Sequence, residues 1–170
     1  MANLTRTGPT GPTSKITPCL WFDDQGEEAA RYYTGIFENS RIVQVSHYGS
    51  AGPRPAGMVM MVDFELDGQP FLALNGGPEF TFDEAVSFQV NCESQEEIDR
   101  FWTALSDGGE EGPCGWLKDK FGVSWQIVPT TLMNEMLRDP DTEKMQRVMA
   151  AVLGMGKLDI AELQRAADAA

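Results

Sequence analysis

The chain repeats itself, and the repeat constrains its fold more than any other feature. An apolar stretch at residues 16–22, ITPCLWF, precedes a helical pattern at 27–37, EEAARYYTGIF. A second apolar stretch at 86–92, VSFQVNC, precedes a second helical pattern at 96–105, EEIDRFWTAL. Within them Arg31-Tyr32-Tyr33-Thr34 corresponds to Arg100-Phe101-Trp102-Thr103. Self-similarity at this scale marks one supersecondary unit used twice. Both helices carry start signals. Ser94 with Glu97 forms a capping box, and Asp24 with Glu27 offers the same device with aspartate. Ile98, Phe101, Trp102 and Leu105 fall at i, i+3, i+4 and i+7, one apolar stripe for a sheet to receive.

Strand-like segments follow each helix. In the first half they are residues 41–48, 58–66 and 69–75, the last two joined by Asp67-Gly68, a strong two-residue hairpin signal. In the second half they are shorter, about 111–114, 116–119 and 123–128, with Gly122 in the place of Gly68. The reading is βαβββ twice, an α+β fold. A two-residue turn pairs Phe64 with Phe71 and Val62 with Ala73 on the face that suits the helix, and puts Asp63 opposite Leu72 on the other. By the same alternation Thr17, Cys19 and Trp21, then Ser87, Gln89 and Asn91, then Ser124 and Gln126 face away from the helices, while Trp125 and Ile127 face them. The loop at 49–57, GSAGPRPAG, reads as mobile.

Three regions result. Residues 1–14, rich in Gly, Pro and Thr, read as a mobile tail. The repeat occupies 15–129, with modules at about 15–78 and 84–129. Residues 130–170 read as a helical extension. There Asp139-Pro140 is expected to start a helix that stops at Gly154, and Asp159 with Glu162 to cap a last one from 160 to about 167. The apolar stripe Met145, Val148, Met149, Val152 and Leu153 either packs on its own domain or meets a partner.

Composition excludes several classes. Net charge is −13, from 26 acidic and 13 basic residues, a field that repels nucleic acid and anionic membrane surfaces. No apolar run approaches the ~20 residues that span a bilayer. The first residues lack the apolar core of a secretory signal. Three widely spaced cysteines, Cys19, Cys92 and Cys114, signal neither a zinc site nor a disulfide framework. A reduced, cytoplasmic setting fits them, with Cys19 read as a small buried thiol. The one histidine, His47, has no partner ligand in view and is read as structural or exposed.

The doubled βαβββ pattern resembles the vicinal oxygen chelate superfamily of glyoxalase I, bleomycin-resistance proteins and extradiol dioxygenases. TPCLWF, ALNGGP at 73–78, VSFQVNC and GWLKDKFGVSWQIVP at 115–129 look more narrowly like its PhnB-like branch. Many relatives there are labelled 3-demethylubiquinone 3-methyltransferase. The resemblance implies one cup built from both halves, and metal ligands, where metal is used, at positions that here hold Thr17, about Leu72, Ser87 and Gln126. Divalent transition metals favour imidazole, thiolate or carboxylate, so no metal is expected. Nor is any other cofactor expected. A methyl donor with an adenosyl group usually needs a parallel sheet and a glycine-rich loop, and neither pattern is present, so the label reads as inherited.

The predicted ligand-binding residues are Thr17, Cys19, Trp21, Asp63, Leu72, Ser87, Gln89 and Gln126, a mixed lining that suits an uncharged or weakly cationic organic molecule. Three functions compete. The first is metal-free capture of a small molecule. The second is an enzyme, metal-free or metal-dependent, with Asp63 as its candidate base. The third is an oligomeric interaction module. A homodimer is expected, with the tail helix at or near the subunit boundary.

Overall fold

A computed structural model of the chain describes residues 15–169. The expected N-terminal tail, 1–14, lies outside the described residues. The chain divides into two compact units, one ending at Gly76 and the other starting at Gly77. The first holds β1 (Cys19–Phe22), α1 (Gly26–Ile36), β2 (Arg41–His47), β3 (Val59–Leu66) and β4 (Gln69–Asn75). The second holds β5 (Ser87–Asn91), α2 (Gln95–Ser106), β6 (Glu110–Glu111), β7 (Trp116–Lys118), β8 (Ser124–Val128), α3 (Thr130–Leu137), α4 (Thr142–Gly154) and α5 (Ile160–Asp168).

The sheets have the same topology, β1-β4-β3-β2 and β5-β8-β7-β6. In each, the first strand pairs in parallel with the fourth, and the remaining pairs are antiparallel. This is βαβββ twice, as the sequence predicts. The Asp67-Gly68 hairpin sets the register of the first sheet. Both residues have positive φ, 45° and 75°, the conformation a type I′ turn demands. It pairs Phe64 with Phe71, Val62 with Ala73 and Asp63 with Leu72.

One face of each sheet is buried by its helix. Ala29, Ala30 and Tyr33 of α1 are buried with Leu20, Phe22, Val62, Phe64, Phe71 and Ala73, and Tyr33 stacks on Phe64 at 6.4 Å. In the second unit Ile98, Phe101, Trp102 and Leu105 bury with Leu117, Trp125 and Ile127. Tyr33 and Trp102, matched in the repeat, are both buried.

The helix starts divide. Ser94 caps α2 as expected, accepting from Glu97 N at 3.3 Å, and Glu97 Oε2 reaches back to Glu93 N at 2.8 Å. α1 corrects the reading. Its cap position is Gln25, without a side-chain cap. The Gly26 N–H donates instead to Asn75 Oδ1 at the end of β4, at 2.7 Å. Asn75 is 1% exposed and also donates from Nδ2 to Val59 O at 3.1 Å. A residue 49 positions away thus does what Asp24 was expected to do.

Other boundaries move. β1 starts at Cys19 rather than residue 16, and Ile16 is 83% exposed. β6 is Glu110–Glu111, because Pro113 and Cys114 lie in the turn before β7. The loop at 49–57, expected to be mobile, sends Arg54 Nη2 to Asp23 Oδ1 at 2.9 Å. Helix α3 was not foreseen. It follows Pro129 without a side-chain cap, so it lacks the polar start signal. α4 is capped by Asp141, which accepts from Glu143 N and Lys144 N, and not by Asp139. Asp139 instead accepts from Asp141 N and Lys144 Nζ. Asp159 caps α5 as predicted.

The tail helices build a core of their own from Met136, Val148, Val152, Leu158, Leu163 and Ala167. They dock on the second module through Cys114 N to Met155 O, Gly115 N to Gly156 O, and Gln95, which bonds Leu158 O and Ile160 N. The α4 stripe therefore splits. Val148 and Val152 are buried, whereas Met149 is 39% and Leu153 67% exposed.

Asn75→Ala should strand the buried Gly26 N–H, at a cost of about 1–3 kcal/mol, and leave the part-buried Val59 carbonyl without this donor. Urea unfolding should show a loss of about 2–3 kcal/mol, with Asn75→Asp, which keeps the acceptor, losing less. An unchanged midpoint for the alanine variant would remove Asn75 as the anchor of α1.

Candidate functional site

The face of each sheet turned away from its helix carries the predicted site residues other than Thr17. Directly paired residues share a face. In the first unit one row runs Cys19, Leu72, Asp63, Gln44 across β1, β4, β3 and β2. The next row runs Trp21, Leu74, Met61, Ser46. Thr17 precedes the strand and joins neither row. Asp63 is half-buried. Cys19 corrects the sequence reading, since the residue is exposed. Even so, desolvation raises its thiol above the usual range, so it resists becoming a thiolate ligand. The buried thiol is Cys92, which desolvation pushes up to about 11.

The end of β4 explains the ALNGGP string. Gly76 lies against the Trp21 indole, and a Cβ there would come within 2.2 Å of the ring. Gly76 N also donates to Phe22 O, and Tyr48 Oη to Asn75 O at 2.8 Å. Trp21 is thereby seated on backbone that only glycine leaves free.

In the second unit one row runs Ser87, Ser124, Lys118, Glu110 across β5, β8, β7 and β6. The adjacent row runs Gln89, Gln126, Trp116. Gln126 Nε2 donates to Ser87 Oγ at 2.8 Å, and Gln89 Nε2 to Asn91 Oδ1 and Thr130 Oγ1. A cavity of about 400 Å³ opens on these rows, walled by Pro113, Cys114, Trp116, Lys118, Ser124 and the carboxylate-bearing Glu84 and Glu110. Its volume falls in the range of small-ligand pockets.

Ser124 is its unusual member. The residue is 1% exposed, and its Oγ has no hydrogen-bond partner among the described residues. Leaving a buried hydroxyl unpaired costs about 1–3 kcal/mol. Lys118 is the opposite case. Its ammonium is paired with Glu84 Oε1. The hydrogen bond to Glu84, with the charges of Glu84, Glu110 and Asp83, raises its pKa, while Lys118 holds the Glu84 carboxyl below its usual range. A depressed carboxylate and a raised ammonium keep the pair charged across neutral pH. The pair is lost as pH falls through the lowered Glu84 pKa or rises through the raised Lys118 pKa. Asp83 accepts from Ala85 N and so shapes the loop that presents Glu84.

A metal of the kind some superfamily members use does not fit these residues. Leu72 offers no donor, Thr17 is outside the strand, and Ser87 and Gln126 bond each other. Cys19 and Asp63 flank Leu72 from two strands apart, about 10 Å, too far to share one ion. His47 stands at the end of β2, exposed. Among the described residues no three His, Cys, Asp or Glu side chains gather as a ligand set.

Sequence reasoning paired Asp63 with Leu72 and put Cys19, Gln89 and Gln126 on the faces away from the helices, and the registers join Cys19 to Leu72 and Gln89 to Gln126. It placed Ser124 on the right face but missed its burial, and it missed Trp116, Lys118, Glu84 and Glu110.

Two four-stranded sheets of identical order, each with one covering helix, define a vicinal oxygen chelate fold. The family model for 3-demethylubiquinone-9 3-methyltransferase matches residues 14–128. A solved Bacillus cereus structure, described as a putative 3-demethylubiquinone-9 3-methyltransferase, PhnB protein, is 39% identical. That match covers 67% of this chain and 98% of that one, with a TM-score of 0.61. The chain therefore belongs to this PhnB-like family. Two more distant structures share the fold. A Pseudomonas aeruginosa protein is 23% identical over 66% of this chain and 94% of its own, with a TM-score of 0.55. The fosfomycin resistance protein FosX from Mesorhizobium loti is 15% identical over 72% and 96%, with a TM-score of 0.52. No curated protein matches the chain.

Proposed function

We propose that this protein captures a small organic molecule without a catalytic metal, on the sheet faces turned away from the helices. One observation carries the reading. The cavity on the second sheet combines a mostly apolar wall with Ser124, a buried hydroxyl that lacks a partner. Unsatisfied buried groups ask for an explanation, and a ligand that completes the bond is one. At the points where the resemblance implies metal ligands, Leu72 offers no donor and Ser87 and Gln126 bond each other, which supports the metal-free part. In the first unit Cys19, Trp21 and Asp63 are proposed as contacts from strand alternation and Thr17 from the resemblance, and in the second unit Gln89 is proposed from strand alternation.

Two alternatives stand behind this. Asp63, half-buried beside Leu72, is the candidate base of an enzymatic reading. A methyltransferase reading has less support. Each sheet has a single parallel pair, unlike the doubly wound parallel sheet that adenosyl methyl donors usually occupy. No helix among the described residues is long and apolar enough to cross a membrane, and a cytoplasmic setting is proposed.

The cavity is tested with 1-naphthol, which is apolar and carries one hydroxyl. Titration should move the Trp116 side-chain and Ser124 backbone NMR signals saturably. Ser124→Ala should weaken this by several-fold, yet leave stability unchanged or raise it by about 1 kcal/mol, because the removed hydroxyl was unpaired. If no signal of the second unit moves at millimolar 1-naphthol, the reading fails.

A homodimer is also proposed, supported by Met149 and Leu153 exposed on α4 beside buried Val148 and Val152. The full chain should sediment near twice 18.7 kDa, and Met149→Glu with Leu153→Glu should shift it toward monomer. A monomeric full chain rejects the dimer, and an unaffected dimer in the double variant rejects the role of α4.

A further inference from the structure

We infer that the cavity on the second sheet selects for charge: it takes a compact apolar or aromatic compound bearing a basic amine, and disfavours carboxylate and phosphonate compounds of the same shape. The inference rests on the reading that this cavity holds a small organic molecule, and adds the class.

The charge census of the wall carries it. An anionic ligand would need Lys118, the basic residue among those that line the cavity. Its ammonium is already paired with Glu84, its β6 neighbour in register is Glu110, and Asp83 adds a third carboxylate that it feels. An incoming carboxylate would have to displace Glu84 and then sit among Glu110, Asp83 and the released Glu84. An amine meets the reverse. Glu84 and Glu110 line the cavity against one lysine. Glu111 also lines it, but its carboxylate is committed to Trp102 Nε1 at 2.8 Å and is left out of the count. Trp116, in the adjacent row, offers an aromatic surface that suits both an apolar ring and a cation.

Two features beyond the acidic rim point to a ligand. Ser124, 1% exposed and without a partner, lies in the same row between Ser87 and Lys118, and gives the ligand's polar substituent a bonding group at the floor. The net charge of −13 adds a long-range field of the same sign, which raises the encounter rate of cations and lowers that of anions.

The test uses three probes of one shape, phenethylamine, 2-phenylethanol and 3-phenylpropionate, titrated into the full chain at low salt and followed by the Trp116 and Ser124 NMR signals. Phenethylamine should bind more tightly than 3-phenylpropionate by about tenfold or more, with the alcohol between, and added salt should narrow the gap. Glu110→Gln, at an exposed position, should narrow it several-fold. An equal or tighter 3-phenylpropionate overturns the charge class and leaves the cavity as a binding site. A preference that Glu110→Gln does not change overturns its assignment to this rim. If none of the three moves these signals while 1-naphthol does, the inference falls alone. If 1-naphthol also fails, the binding reading falls with it.

Discussion

Everything in this protein depends on one geometric constraint: a single helix covers only one face of a four-stranded sheet. Strand side chains alternate, so each covered residue commits its neighbours to the other face. Burying Val62 and Phe64 under Tyr33 forces Met61 and Asp63 away from α1. Burying Trp125 and Ile127 does the same for Ser124 and Gln126. The face proposed to bind is thus a by-product of making a core. A one-residue slip would exchange the two faces, which is why the type I′ turn at Asp67-Gly68 matters beyond its local bonds.

Within that constraint the two modules have diverged in chemistry. The first offers Cys19, Leu72, Asp63 and Gln44 in a row, with Trp21 seated on Gly76. The second offers Ser87, Ser124, Lys118 and Glu110, with Trp116 beside them. Neither row gathers three strong metal donors. What the second has instead is an apolar-walled cavity, an unpaired hydroxyl and an ion pair at its rim. The binding proposed for that combination uses shape, one hydrogen bond and charge, and asks for no electrophile.

Much of this was legible because its causes are local. Asp67-Gly68 predicts the pairing of Asp63 with Leu72, and the period of two predicts which residues share a face. Ser94 predicts the start of α2 because its bond spans three residues. Failures came where the cause is distant or tertiary. Asn75 caps α1 from another strand, and nothing near Asp24 announces it. Gly76 needs the position of the Trp21 ring before its role is visible. Ser124 is placed on a face by alternation, but its lack of a partner depends on every neighbour. Glu84 lies in a loop, and no periodicity carries it to Lys118. α3 starts after Pro129 without a polar cap, and Asp141 takes the place expected of Asp139 two residues away, an ambiguity that two such closely spaced aspartates leave open.

The central claim is that the superfamily's scaffold is retained here while its metal chemistry is replaced by an organic pocket. Elemental analysis tests it most directly, on full-length protein purified without chelators, exposed to Zn, Ni, Mn and Fe salts and then dialysed. The donor set predicts well under one equivalent of any of the four per chain. One equivalent of bound metal, lost on substituting Gln126 or Asp63, would contradict the account.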